Sequence, residues 1–267
     1  MVVRGQHIGN RTMSHIDPSA VSAVDSTPEE EFPEERQLLP SFGSIKLIWF
    51  VYGAFGLLLL ITFGFVIFQP IKVLPRVRLA PGFILTNQDG ESVNNEQFRG
   101  KLTLYNFTYT RCQPPGCRQF DLIMKEVQDR IGEVETYDLP VEFVTITFDP
   151  EQDTPKALKA YAEELGADTA TWHFLTSDDP KQIRRVVGTG FQVYYKERTP
   201  GDFEFIPTMI LVDGWGIVRG IYNDRIYVAD ADRILSHFNV VASEAAFSKG
   251  AGRAGYEAAH LFLCFAD

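Results

Sequence analysis

The chain has 267 residues, 45% hydrophobic and 22% charged, with three cysteines and a formal net charge of −10. That length and apolar content suffice for one sizeable domain plus attachments. The acidic balance excludes a partner that presents a row of phosphates, so nucleic acid is set aside.

Residues 1–44 read as a solvated, disordered acidic tail, with Glu29, Glu30, Glu31, Glu34 and Glu35 in a stretch lacking helical or strand period. The extreme N-terminus lacks an apolar core, so no cleavable signal peptide is expected. From Leu47 to Phe68 no residue is charged. At 1.5 Å per residue this run spans about 33 Å, enough for the hydrocarbon core of a bilayer. Trp49 and Tyr52 lie near one end as interfacial anchors, and Gln69-Pro70 closes the other. The pattern predicts a single uncleaved transmembrane helix over 45–69, followed by a linker over 70–79. Arg36 and Lys46 precede the span, and Lys72, Arg76 and Arg78 follow it. Charge counting therefore leans towards a cytoplasmic C-terminal domain.

Residues 80–240 alternate strand-like and helix-like stretches, the pattern of an α/β sheet. Phe83–Thr86 reads as a strand and Asn87–Glu91 as a turn in which Gly90 takes positive φ. Leu102–Thr108 is a strand, and Arg118–Ile131 carries Phe120, Ile123, Met124, Val127 and Ile131 at helical spacing. Val141–Phe148 is β-branched and aromatic and ends at Asp149-Pro150. A helix starts at Asp153-Thr154-Pro155, with a cap before the proline, and runs to Leu165. Trp172–Leu175 is a short strand, and Pro180–Val187 and Ala229–Phe238 are predicted helices. Met209–Val212 and Ile217–Ile221 form a hairpin around Asp213-Gly214-Trp215-Gly216.

Two of the cysteines, Cys112 and Cys117, fall where the Leu102–Thr108 strand gives way to a helix. A helix N-terminus stabilises a thiolate, the species that binds soft metals or attacks disulfides. The intervening Gln113-Pro114-Pro115-Gly116 loop leaves three readings open: a shared metal ion, a disulfide, or two unrelated buried thiols. A dithiol after an early strand and Ile206-Pro207-Thr208 before a later one is the layout of a thioredoxin-like fold. That layout implies a cis peptide at Pro207, facing the cysteines. His173, beside Trp172, reads as a structural histidine at a sheet edge. Met209 reads as core filling, and turn and cap duties account for Asp149 and Asp153. Residues 241–267 form a C-terminal extension, loosened by Gly250, Gly252 and Gly255. Its Leu261–Phe265 run needs a surface to dock on, with Cys264 a buried thiol in that contact.

Several segments carry a closer resemblance: Phe83–Gly90, Phe98–Lys101, Tyr105–Cys112, Thr145–Pro155, Trp172–Thr176 and Ile210–Asp213. Through them residues 80–235 resemble the Sco/SenC family, membrane-anchored thioredoxin-like proteins that help assemble the copper site of cytochrome oxidase. The resemblance implies an α/β, thioredoxin-like domain preceded by a single transmembrane helix. It implies a place in the cell membrane with the domain on the periplasmic or outer face, against the charge count. The implied partners are the membrane and subunits of cytochrome oxidase or another electron-transfer complex of the respiratory chain. In that family two cysteines and a distant histidine bind copper. Cys112 and Cys117 take the cysteine positions here, with one extra residue between them. The histidine position falls on Phe205, and no histidine occurs between His173 and His237.

Two thiolates suffice for Cu(I), whereas Cu(II) wants the imidazole, so the expected metal is Cu(I) on Cys112 and Cys117. The expected function is copper delivery or thiol reduction in oxidase assembly. That is metallochaperone-like work, with thiol–disulfide oxidoreductase activity of Cys112, Cys117 and Pro207 as the enzymatic alternative. The other class of function is an accessory, chemically inactive subunit of a membrane electron-transfer complex.

Overall fold

A computed structural model describes residues 42–68, 72–112, 118–223, 226–250 and 252–262. The expected acidic tail up to residue 41 lies outside the described residues, as do Cys117 and Cys264. Helix α1, Phe42–Phe68, is long and apolar enough to cross a bilayer, and Trp49, Phe50 and Leu60 are exposed on it. Its first three residues, 42–44, fall within the stretch expected as tail.

Beyond α1 the strands are β1 (Arg78–Leu79), β2 (Ile84–Thr86), β3 (Ser92–Asn94), β4 (Leu102–Thr108), β5 (Val141–Thr147), β6 (Trp172–Leu175), β7 (Tyr195–Thr199), β8 (Asp202–Phe205), β9 (Met209–Val212) and β10 (Ile217–Tyr222). The helices are α2 (Arg118–Arg130), α3 (Pro155–Leu165), α4 (Pro180–Ile183, continued by a π-helical turn to Gly190), α5 (Ala231–Phe247) and α6 (Gly252–Phe262). Among the described residues one mixed sheet has the order β1-β10-β9-β4-β5-β6. β4, β5 and β6 run parallel, joined by crossovers that contain α2 and α3, while β9, β10 and β1 are antiparallel to their neighbours. This is a thioredoxin-like fold.

The central strand β4 is buried at every residue, which is why Leu102, Leu104, Tyr105 and Phe107 serve both of its faces. Leu102 and Leu104 enter a core with α2, α3 and α5, and Tyr105 and Phe107 enter the opposite one. Local signals hold where they were legible. The Thr154 side chain caps α3 by accepting from the Ala157 amide, Pro155 opens the helix, and Gly166 closes it at φ +66°.

Three expectations are corrected. Residues 72–79 belong to the domain and are no linker. Val73 and Leu74 are fully buried, the Leu74 carbonyl accepts from Arg219 at 2.8 Å, and β1 pairs with β10. The domain also runs past 240, because α5 continues to Phe247 and buries Val241, Ala242 and Glu244. Lastly, the glycine-bearing extension is a helix packed on the domain. In α6 Ala259 is fully buried, and His260 lies 2.9 Å from Glu244. Glu244 is a buried hub that also binds Arg76 at 2.9 Å and the buried Arg219, which in turn binds Asp213 at 3.1 Å. The β7–β8 hairpin was not foreseen.

Candidate functional site

β4 carries the chain to one end of the sheet, and Cys112 lies four residues beyond its last residue. Cys112 is buried and disulfide-bonded, and its amide donates to the Tyr109 carbonyl at 3.2 Å. Pro207 lies between β8 and β9. Because Met209 pairs with Asn106 of β4, Pro207 falls at the same end of the sheet as the Cys112 loop.

The loop that precedes Cys112 is fastened by the segment that follows β5. The Thr110 amide donates to Asp153 at 3.1 Å, and the hydroxyls of Thr110 and Thr147 donate to the same carboxylate. Burial pushes the Asp153 carboxyl above its ordinary pKa, against those hydrogen bonds. Arg111, next to Cys112, pairs with the buried Asp149 at 2.7 Å. Asp153 is therefore a brace for the cysteine loop, while Thr154 does the capping. A third carboxylate, which nothing in its sequence context singles out, is buried nearby. Asp121, in the first turn of α2, is fully buried and accepts from Asn106 Nδ2 at 2.6 Å, Tyr161 OH at 2.8 Å and Thr108 Oγ1 at 3.4 Å. Burial raises its pKa to about 6 despite those three donors.

Phe205 places a ring where the resemblance asked for an imidazole. It stands 5.0 Å from Phe148 and 6.1 Å from Tyr109, in a cluster with Phe203 and with Tyr195 stacked on Phe148 at 5.0 Å. A phenyl ring has no lone pair to offer a metal. Met209 is fully buried among the residues of the opposite core, away from Cys112, as core filling. His173 lies on the edge strand β6, 3.0 Å from Glu142 and edge-on to Phe98, which makes it structural. Among the described residues no group of three or more His, Cys, Asp or Glu side chains gathers around a common point. Of the expected pair, Cys112 has been placed, and Cys117 lies outside the described residues.

A parallel-to-antiparallel sheet with an oxidised cysteine just past β4 defines a thioredoxin-like protein of the thiol-bearing class. The SCO1/SenC family model matches residues 73–241, and the chain belongs to that family. It is 28% identical over 115 residues to the SCO1 protein homolog of Bacillus subtilis, covering 43% of this chain and 58% of that relative's length. A SCO1/SenC family lipoprotein from Bacillus anthracis superposes with a TM-score of 0.55 at 27% identity, covering 62% of this chain and 95% of that one. ScoI of Arabidopsis thaliana with copper bound gives a TM-score of 0.52 at 25% identity, over 63% and 98% of the two chains.

Proposed function

We infer that this chain is a membrane-anchored Sco-type protein of respiratory oxidase assembly, working through Cys112 and Cys117 by thiol–disulfide exchange, with Cu(I) as the copper it carries. The oxidised state of Cys112 at the strand–helix turn carries this reading. A cysteine that closes a disulfide there can, once reduced, offer a thiolate to a copper ion or to a partner's disulfide. Two thiolates satisfy Cu(I), while the Phe205 ring leaves Cu(II) without a third donor. Copper bound to ScoI of Arabidopsis thaliana supports copper as the cargo. Helix α1 is the single-pass anchor, and the family resemblance supports the outer face of a bacterial membrane for the domain.

The test is a Cu(I) titration of the reduced full chain in detergent micelles. One equivalent bound by the wild type and lost in Cys112→Ser supports copper carriage. No binding together with no reversible dithiol couple would sink the whole reading. Phe205 favours one other reading, an accessory subunit that keeps the fold without the chemistry. Co-purification with an electron-transfer complex in fixed ratio, by chains whose cysteines are replaced, is what that reading requires.

A further inference from the structure

β7 and β8 pair only with each other among the described strands, so ladder hydrogen bonds do not tie this hairpin to the main sheet. Rings hold it instead, helped by hydrogen bonds of Tyr109 with the Phe203 backbone and of Tyr195 with Arg184. Along β8 Asp202 and Glu204 are exposed, while Phe203 and Phe205 are half-buried and turn inward. Phe203 lies 5.1 Å from Tyr109 and 5.3 Å from Phe148. Tyr109 and Phe148 belong to the same buried cluster as Cys112. At the hairpin tip Gly201 has φ +78°, and a Cβ placed there would collide with the guanidinium of Arg111, the residue before Cys112. The tip thus rests on the cysteine loop. The roots of the hairpin are Gln192, at φ +59°, and Pro207. An open cleft of about 770 Å³ runs alongside, lined by Phe148, Asp149, Arg184, Gln192, Tyr195 and Phe203 among others. Phe148 and Phe203 border this cleft, and they pack on Tyr109, three residues before the buried Cys112.

We propose that the β7–β8 hairpin is an aromatic gate between this cleft and the Cys112 disulfide, closed by Phe203 and Phe205 and opened by swinging about Gln192 and Pro207. It rests on the thiol-exchange reading above and names what that reading needs, a controlled entrance. With the gate open, a thiolate of a partner dithiol attacks one sulfur, forming a mixed disulfide and releasing the other sulfur as a thiolate. The partner's second thiol then resolves the mixed disulfide. The partner leaves as a disulfide, and this chain's two cysteines have gained two electrons and two protons. Gating residues of this kind decide which thiols reach the sulfur and how fast.

Dithiothreitol is the probe, acting on the oxidised full chain in detergent micelles, with free thiols trapped by alkylation and read by mass. A gate predicts that the wild-type rate levels off as dithiothreitol is raised, because opening becomes limiting. Phe205→Ala removes two ring contacts, and it is expected to raise that ceiling roughly tenfold or more. Gly201→Ala sets a Cβ against the Arg111 guanidinium at a position of positive φ, which disturbs the seating of the tip away from the rings, and it too should raise the ceiling. It carries the test alone should the first variant fold poorly. A rate that stays linear in dithiothreitol and equal in wild type and Gly201→Ala overturns the gate. If the reduced wild type also fails to reclose its disulfide on reoxidation, the thiol-exchange reading itself falls. Reclosure with ungated kinetics removes the gate alone.

Discussion

Asp121→Asn should flatten a pH dependence of stability that the wild type owes to one carboxylate. Asp121 is fully buried, its hydrogen-bond partners Asn106, Thr108 and Tyr161 are all neutral, and burial lifts its pKa from 3.8 to about 6. Because the folded value is the higher one, the stabilising contribution is fully present below pH 3.8 and is lost as pH rises through about 6. At about 1.4 kcal/mol per pH unit, that gap amounts to about 3 kcal/mol. In a domain of this size it corresponds to a shift in Tm of roughly 6–12 °C. The assay is thermal unfolding of the full chain and the variant, followed by circular dichroism in half-unit steps between about pH 4 and 8. The difference in Tm between variant and wild type should move in the variant's favour as pH rises, then hold constant above pH 7. An infrared carbonyl band from a protonated acid should titrate near pH 6 in the wild type only. A difference that does not change with pH, or the absence of that band, refutes the reasoning.

Arg219→Met leaves Asp213 and Glu244 buried without their shared cation, and it should cost about 3–5 kcal/mol in urea unfolding. His237, bonded to Tyr222 OH at 2.9 Å, is held at a pKa of about 4 by burial and by Arg233. The folded value is depressed, so its contribution is present above pH 6.5 and lost as pH falls through about 4. His237→Gln is therefore expected to remove about 3 kcal/mol of acid destabilisation, read from urea midpoints across that window. Phe205→His supplies the missing imidazole. The reduced variant should show a thiolate-to-Cu(II) charge-transfer band that the wild type lacks, and its absence would separate Phe205 from the metal position.

The central strands were legible because burial on both faces makes β4 and β5 apolar, aromatic or β-branched at every position but Asn106 and Glu142. The Thr154–Pro155 cap, the Asp213–Gly216 turn and the amphipathic α2 were legible for equally local reasons. What escaped depends on distant partners. Asp121 looks like an ordinary first-turn acid until Asn106 and Tyr161 close over it. Arg219 looks like an exposed position on a strand until Asp213 and Glu244 are folded around it. The β7–β8 hairpin has charged outward residues and gains its inner face only from Tyr109 and Phe148. Val73 and Leu74 passed for a tether because two apolar residues between a membrane span and basic residues carry no periodic signal. At the site, the position of Phe205 was readable only through the family resemblance, by counting back from Asp213. The ring cage that makes it part of a cover was not.

The clasp around Glu244 has a mechanical consequence. Any pull that reaches the domain from its N-terminal side arrives first at the buried Val73 and Leu74 and at Arg76. Leu74 hands that load to Arg219 through its carbonyl, and Arg76 hands it to Glu244 and Glu257. The strain is thus taken up by β10, α5 and α6 acting together, where two residues of β1 alone would peel away. β9 lies between that load path and β4, which keeps the strand bearing the cysteine loop out of the line of pull.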